Sequence, residues 1–155
     1  MRRLLLIMSF SFAALYMQAQ TAMADITGVW KGHFFQENFM NPGADDLAYT
    51  ASIEIEQHGD DVTGTCTIVW YDSNMYWGKC SFNGNYENGK FTFTEFSLDD
   101  DHCKPGYSWC LKDVEAMIEY NPQTAQWMLS GNFKAHNGFA ECSPGTLFFV
   151  KEGDI

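Results

Sequence analysis

Along most of the chain apolar and polar residues alternate one for one, the period of a strand with one buried face, and no stretch keeps a helical period for long. The segment Ala48 to Gln57 is the clearest case: Ala51, Ile53 and Ile55 fall on one face, Ser52, Glu54 and Glu56 on the other. The same alternation predicts strands at Ile26 to Gln36, Val62 to Tyr71, Tyr76 to Glu87, Lys90 to Leu98, Trp109 to Tyr120, Ala125 to Lys134 and Thr146 to Lys151. Turn formers separate them, among them Asn41-Pro42-Gly43, Gly59-Asp60, Asn88-Gly89, Asn121-Pro122 and Ser143-Pro144-Gly145. Short connections between successive strands describe an all-β, eight-stranded antiparallel up-and-down meander. Closure into a barrel removes its exposed edges, and a barrel of this size has room for side chains or one small ligand.

Asn88-Gly89 suits a two-residue type I′ hairpin, which fixes a register: Glu87 opposite Lys90, Tyr86 opposite Phe91, Gly84 opposite Phe93 and Phe82 opposite Glu95. Opposed residues share a face, so Phe82, Tyr86, Phe91 and Phe93 form an inner apolar side while Thr92 and Thr94 face water. Glu95 joins the apolar side. A carboxylate there either takes a hydrogen bond inside a polar cavity or lies at the barrel rim. If it is inside, desolvation raises its pKa unless a tyrosine hydroxyl or a lysine compensates.

Val62, Gly64, Cys66, Ile68 and Trp70 share the apolar face of their strand. Matching that face to Cys80 and Phe82 requires a five-residue loop or a bulge before the next strand, and it sets Cys66 opposite Cys80. The two are then either a disulfide or a pair of buried thiols acting as small apolar residues. Cys110 opens the sixth strand and Cys142 precedes the eighth, so both come to one barrel end and are the preferred bridge. Cys103 with Cys110 is the alternative, and none of the spacings is of the zinc-binding Cys-x-x-Cys kind.

Arg2 and Arg3, the apolar run Leu4 to Tyr16 and the small-x-small pattern Ala22-Met23-Ala24 make residues 1–24 a signal peptide, with residues 25–155 as one barrel domain. The apolar run is too short for a membrane span. The expectation is therefore a secreted or periplasmic protein in a compartment where disulfides persist. Removing the signal removes both arginines, leaving seven Lys against twenty Asp and Glu, 7 − 20 = −13. Such a surface repels nucleic acid and anionic lipid.

No nucleophile elbow, zinc-protease motif, phosphate-cradling glycine loop or EF-hand pattern is present. The run Asp99-Asp100-Asp101-His102 offers hard oxygen ligands, but four consecutive polar residues cannot all point at one ion, and a solvated loop is the simpler account. No cofactor, metal or catalytic residue is assigned.

The opening Ile26-Thr27-Gly28-Val29-Trp30-Lys31-Gly32 resembles the Gly-x-Trp strand that begins lipocalins and, in similar form, avidin-type barrels. The resemblance implies structural roles for Gly28 and Trp30, with the tryptophan plugging one barrel end, and it covers the remaining chain in strand count, length and meander order. Lipocalins carry an arginine near the last strand that packs on this tryptophan. The mature chain has none, which leaves Lys151 or Lys134 for a weaker cation–ring contact.

The function expected first is binding of a small neutral or cationic, partly hydrophobic molecule, with Glu95, Trp70, Phe82, Tyr86, Phe93 and Trp127 as ligand-facing residues. A free fatty acid is not expected to bind well, because no guanidinium fork is available for its carboxylate. A filled-barrel scaffold or inhibitor acting through its loops is the second reading. A barrel enzyme without a recognisable motif is the third, with Glu95 or His33 as acid or base. Oligomeric state is left open.

Overall fold

Two tight turns set the frame. Asn88 and Gly89 both adopt left-handed backbone (φ 52° and 82°), the geometry a type I′ hairpin requires, and they join β4 (Trp77–Glu87) to β5 (Lys90–His102). Gly59, with φ 67°, turns β2 (Leu47–His58) into β3 (Asp61–Trp70). The remaining strands are β1 (Gly28–Gln36), β6 (Lys112–Asn121), β7 (Gln126–Ala135) and β8 (Gly145–Lys151). Each pairs antiparallel with the next, and β8 closes on β1, giving a closed eight-stranded up-and-down barrel. This is a computed structural model that describes residues 24–37, 47–70, 75–136 and 143–153. The predicted signal peptide, apart from Ala24, lies outside the described residues, as does Cys142.

The hairpin register is the expected one at all four positions: Glu87 with Lys90, Tyr86 with Phe91, Gly84 with Phe93 and Phe82 with Glu95. Cys66 stands opposite Cys80, and the amide of Trp70 donates to the carbonyl of Tyr76 (3.0 Å), so five residues separate β3 from the start of the next pairing. Of the two alternatives for Cys66 and Cys80, the disulfide is corrected: both are free thiols. They are buried on the inner wall and fill it as small apolar side chains do. Cys103 is also a free thiol and Cys110 is not; the partner preferred for Cys110, Cys142, is outside the described residues.

Two boundaries differ from expectation by more than two residues. β5 runs on to His102, and β6 begins at Lys112 instead of Trp109. The cause is a pair of register shifts against β4, which leave Phe96 and Asp99 as extra residues in β5. Bulges bend a strand away from its neighbour. β5 accordingly stays with β4 while its ladder with β6 stops at Thr94 and Asp113. Asp99, read from sequence as loop, fastens this bulged stretch by accepting from Ser81 Oγ (2.6 Å) and Ser97 Oγ (2.5 Å). Those two hydroxyls hold its carboxyl below its usual pKa.

The interior is filled at one end. Trp30, fully buried, donates its indole N–H to the Ile26 carbonyl at 3.0 Å. Lys151, not Lys134, takes the place beside it: it lies opposite Trp30 in register, and its ammonium donates to the Asp25 carbonyl at 3.1 Å. Gly28 is needed there because its φ is 133°, and a Cβ would meet Lys151 Cε at 3.3 Å. Ile53, Ile55, Val62, Phe82, Phe91, Phe93, Ile118, Leu129 and Phe149 pack the middle and this end of the barrel. Phe82 and Phe93 approach to 4.4 Å between ring centroids.

Candidate functional site

In an up-and-down barrel the β1–β2, β3–β4, β5–β6 and β7–β8 connections share one end, and there the packing stops. A cavity of about 670 Å³ opens at that end. Phe34, Leu47, Ile68 and Phe133 make its apolar floor and sides, and Tyr49, Trp70, Tyr107 and Trp109 its aromatic wall. Gln36, Glu37, Ser108 and Lys112 supply polar groups. The β5 bulges create this space: where β5 leaves β6, the connecting segment carries Tyr107, Ser108 and Trp109 to the gap.

Trp109 is seated by a glycine. A Cβ on Gly78 would come within 2.9 to 3.1 Å of its indole ring, so the ring lies directly on the β4 backbone. Its indole N–H is buried with no hydrogen-bond acceptor among the described residues. Tyr49 stands 6.1 Å from Trp109 and 6.0 Å from Trp70, ring to ring. Burial pushes the Tyr49 hydroxyl pKa up.

Beneath the aromatic wall is an ion pair. Glu95 is 0% exposed, and Lys112 is 6% exposed. Glu95 Oε2 accepts from the backbone N–H of Lys112 at 2.9 Å and from its ammonium at 3.4 Å. The carboxylate thus takes the place of the strand carbonyl that the broken β5–β6 ladder no longer provides. Lys112 Nζ also donates to the Cys110 carbonyl at 3.2 Å and lies 5.4 Å from the centre of the Phe34 ring. Glu95 Oε1 has no hydrogen-bond partner among the described residues.

Burial raises the Glu95 pKa, and the Lys112 ammonium and its hydrogen bonds oppose that rise without cancelling it. For Lys112, burial is the largest influence and works against the charged form, but the Glu95 carboxylate, the thiols of Cys66 and Cys80 and the hydrogen bond to Glu95 together outweigh it, and the pKa stands above the usual value. Burial and the nearby carboxylate also push up the thiols of Cys66 and Cys80, the latter to about 12, so neither is a nucleophile at neutral pH.

Of the residues expected to face a ligand, Trp70 lines the cavity. Glu95 is fully inside, not at the rim, and is connected to the cavity through Lys112. Phe82, Tyr86 and Phe93 lie in the packed part of the barrel. Trp127 sits at the opposite end, paired with Tyr120 (5.3 Å) beside the β6–β7 turn. His33 is on the outer wall against Phe35, since inward positions of β1 are Trp30, Gly32 and Phe34. Lys112 lies inside the expected Trp109 to Tyr120 strand and shares the inward parity of Val114, Ala116 and Ile118, which was the signal that could have found it; nothing local marks where β5 abandons β6. Tyr107 was read as loop and gave no signal of its own.

No family model matches the chain, and no curated protein matches it either.

Proposed function

We propose that the mature chain is an exported, lipocalin-like barrel that binds one small, partly hydrophobic molecule in the cavity at its β1–β2 end. One observation carries this reading: the barrel is packed solid around Trp30 but leaves about 670 Å³ under an aromatic wall at the other end. That size is within the roughly 300–1,000 Å³ of small-molecule pockets, and apolar walls with a few convergent polar groups are their usual make-up. A scaffold acting only through its loops has no need of such a space.

The floor favours a neutral or cationic guest. Lys112 is the one lysine among the described lining residues, and Glu95 balances its charge. A fatty-acid carboxylate would have to compete with Glu95 for an ammonium already engaged three ways. Binding is proposed here, not catalysis: the only buried acid among the described residues is tied to a lysine, and the His33 ring faces outward.

Native mass spectrometry on protein purified from its own host tests the reading. Ala135, at the end of β7, lines the cavity; a retained molecule at one copy per chain, lost when Ala135→Trp fills the cavity of a still-folded protein, is the expected result. Ligand retained equally by Ala135→Trp, or none bound by the wild-type protein across a metabolite extract, would overturn it.

A further inference from the structure

At the cavity mouth the structure holds one of its own cations against aromatic faces. Lys104 Nζ lies 5.5 Å from the centre of the Trp70 ring and 5.0 Å from that of Tyr107. The two rings meet at 76° with centroids 5.6 Å apart, forming a corner whose two faces the ammonium shares. Tyr76 also approaches Trp70, at 6.2 Å between ring centroids. Both Trp70 and Tyr107 also line the cavity, so the corner and the cavity are continuous.

The lysine is put there by the local chain. Tyr107 N–H donates to the Lys104 carbonyl at 2.9 Å, closing a four-residue turn with Pro105 second and Gly106, φ 85°, third. Proline and a left-handed glycine in those places are the requirements of a type II turn. The turn brings the Lys104 side chain back over Tyr107. None of the ion pairs among the described residues includes Lys104, although Asp99, Asp100 and Asp101 precede it closely in a chain of net charge −11. Its ammonium is held by ring faces instead of a carboxylate.

We propose that this corner is a cation site and that the physiological ligand carries an alkylated ammonium group, which displaces Lys104 from Trp70 and Tyr107 as the rest of the molecule enters the cavity. Ring faces attract a cation through their quadrupole and exact little desolvation from a methylated one, whereas a primary ammonium gives up strong hydration to sit there. A methylated ammonium is therefore the better occupant, and Lys104 is a tethered competitor. The acidic surface raises the local concentration of such cations. The inference rests on the binding function above and names the ligand class for it.

Choline and its uncharged carbon isostere, 3,3-dimethylbutan-1-ol, differ at the site only by charge. They are titrated into the mature protein and followed by tryptophan fluorescence and indole NMR signals. Choline is expected to bind at least tenfold tighter than the isostere, and Trp70→Ala to remove that difference. Lys104→Ala, which empties the corner, is expected to tighten choline about fivefold, the size of an exposed cation–ring contact. Equal binding of the two probes, or no gain from Lys104→Ala, overturns the proposal. A retained host ligand that is lost in Ala135→Trp, alongside either of those results, leaves the binding function standing and discards only the ammonium class. Should that ligand be absent too, both fall.

Discussion

Replacing Lys112 by Met removes the ammonium from Glu95 while keeping the length and apolar stem of the side chain. Glu95 is then a fully buried carboxyl with one remaining strong donor, the backbone N–H of residue 112 at 2.9 Å. The cheapest folded state is one in which it is protonated. Its ordinary pKa is 4.5, so folding at higher pH requires uptake of a proton, at about 1.4 kcal/mol per pH unit. The upper bound on the loss is therefore about 1.4 kcal/mol at pH 5.5 and about 4 kcal/mol at pH 7.5. The sign follows from linkage: a carboxyl whose folded pKa is raised is tolerated below its unfolded pKa and destabilises progressively as pH rises toward the folded value. The wild-type protein shares the direction, since Glu95 is already raised, but with a shallower slope because Lys112 compensates. Urea unfolding of both proteins at pH 5.5 and 7.5 measures the difference. A destabilisation by Lys112→Met that is the same at both pH values would refute the idea that the lysine acts by holding the Glu95 charge.

The mirror substitution, Glu95→Gln, leaves a buried ammonium without its carboxylate and is expected to cost about 3–5 kcal/mol at pH 7, shrinking as pH rises. Combining it with Lys112→Met should recover most of the loss, since the Gln carbonyl still accepts from the residue 112 amide; additive losses in the double variant would contradict this. Gly78→Ala forces a methyl to within about 3 Å of the Trp109 ring, so a loss of about 1–3 kcal/mol and a shifted tryptophan emission are expected. An unchanged spectrum and stability would show that Trp109 does not rest on β4. Under native conditions a thiol reagent should modify Cys103 and spare the buried Cys66 and Cys80, which react only on unfolding. If Cys110 is bridged to Cys142, reductant lowers the thermal midpoint without unfolding the domain, and coincident midpoints would exclude a structural bridge.

How much of this molecule could be read from its sequence depends on whether the information was local. The Asn88-Gly89 hairpin is local: its turn type follows from two residues, the register follows from the turn, and the register put Glu95 on the apolar face opposite Phe82, where it is found, though not whether it lay inside or at the rim. Cys66 opposite Cys80 likewise followed from matching two apolar faces, though whether opposed thiols are joined is a matter of oxidation that no pattern encodes. The cavity was not local in this sense. It exists because two bulged residues, Phe96 and Asp99, turn β5 away from β6, and the alternation around them looks like the end of a strand: Asp99 to His102 is polar at every position. A polar run ends a strand when it leaves the sheet, but here Asp99 is held by Ser81 and Ser97 and the strand continues. Reading it as loop displaced the start of β6 to Trp109 and concealed the end of the β5–β6 ladder at Thr94 and Asp113, where Lys112 meets Glu95. The same error sent the ligand-facing assignment down the phenylalanine face, which is the packed half of the barrel. Inner-face parity cannot separate the filled end from the open one, because both ends alternate identically. What separates them is side-chain volume against the space left by the departing strand, and that quantity belongs to the closed barrel as a whole.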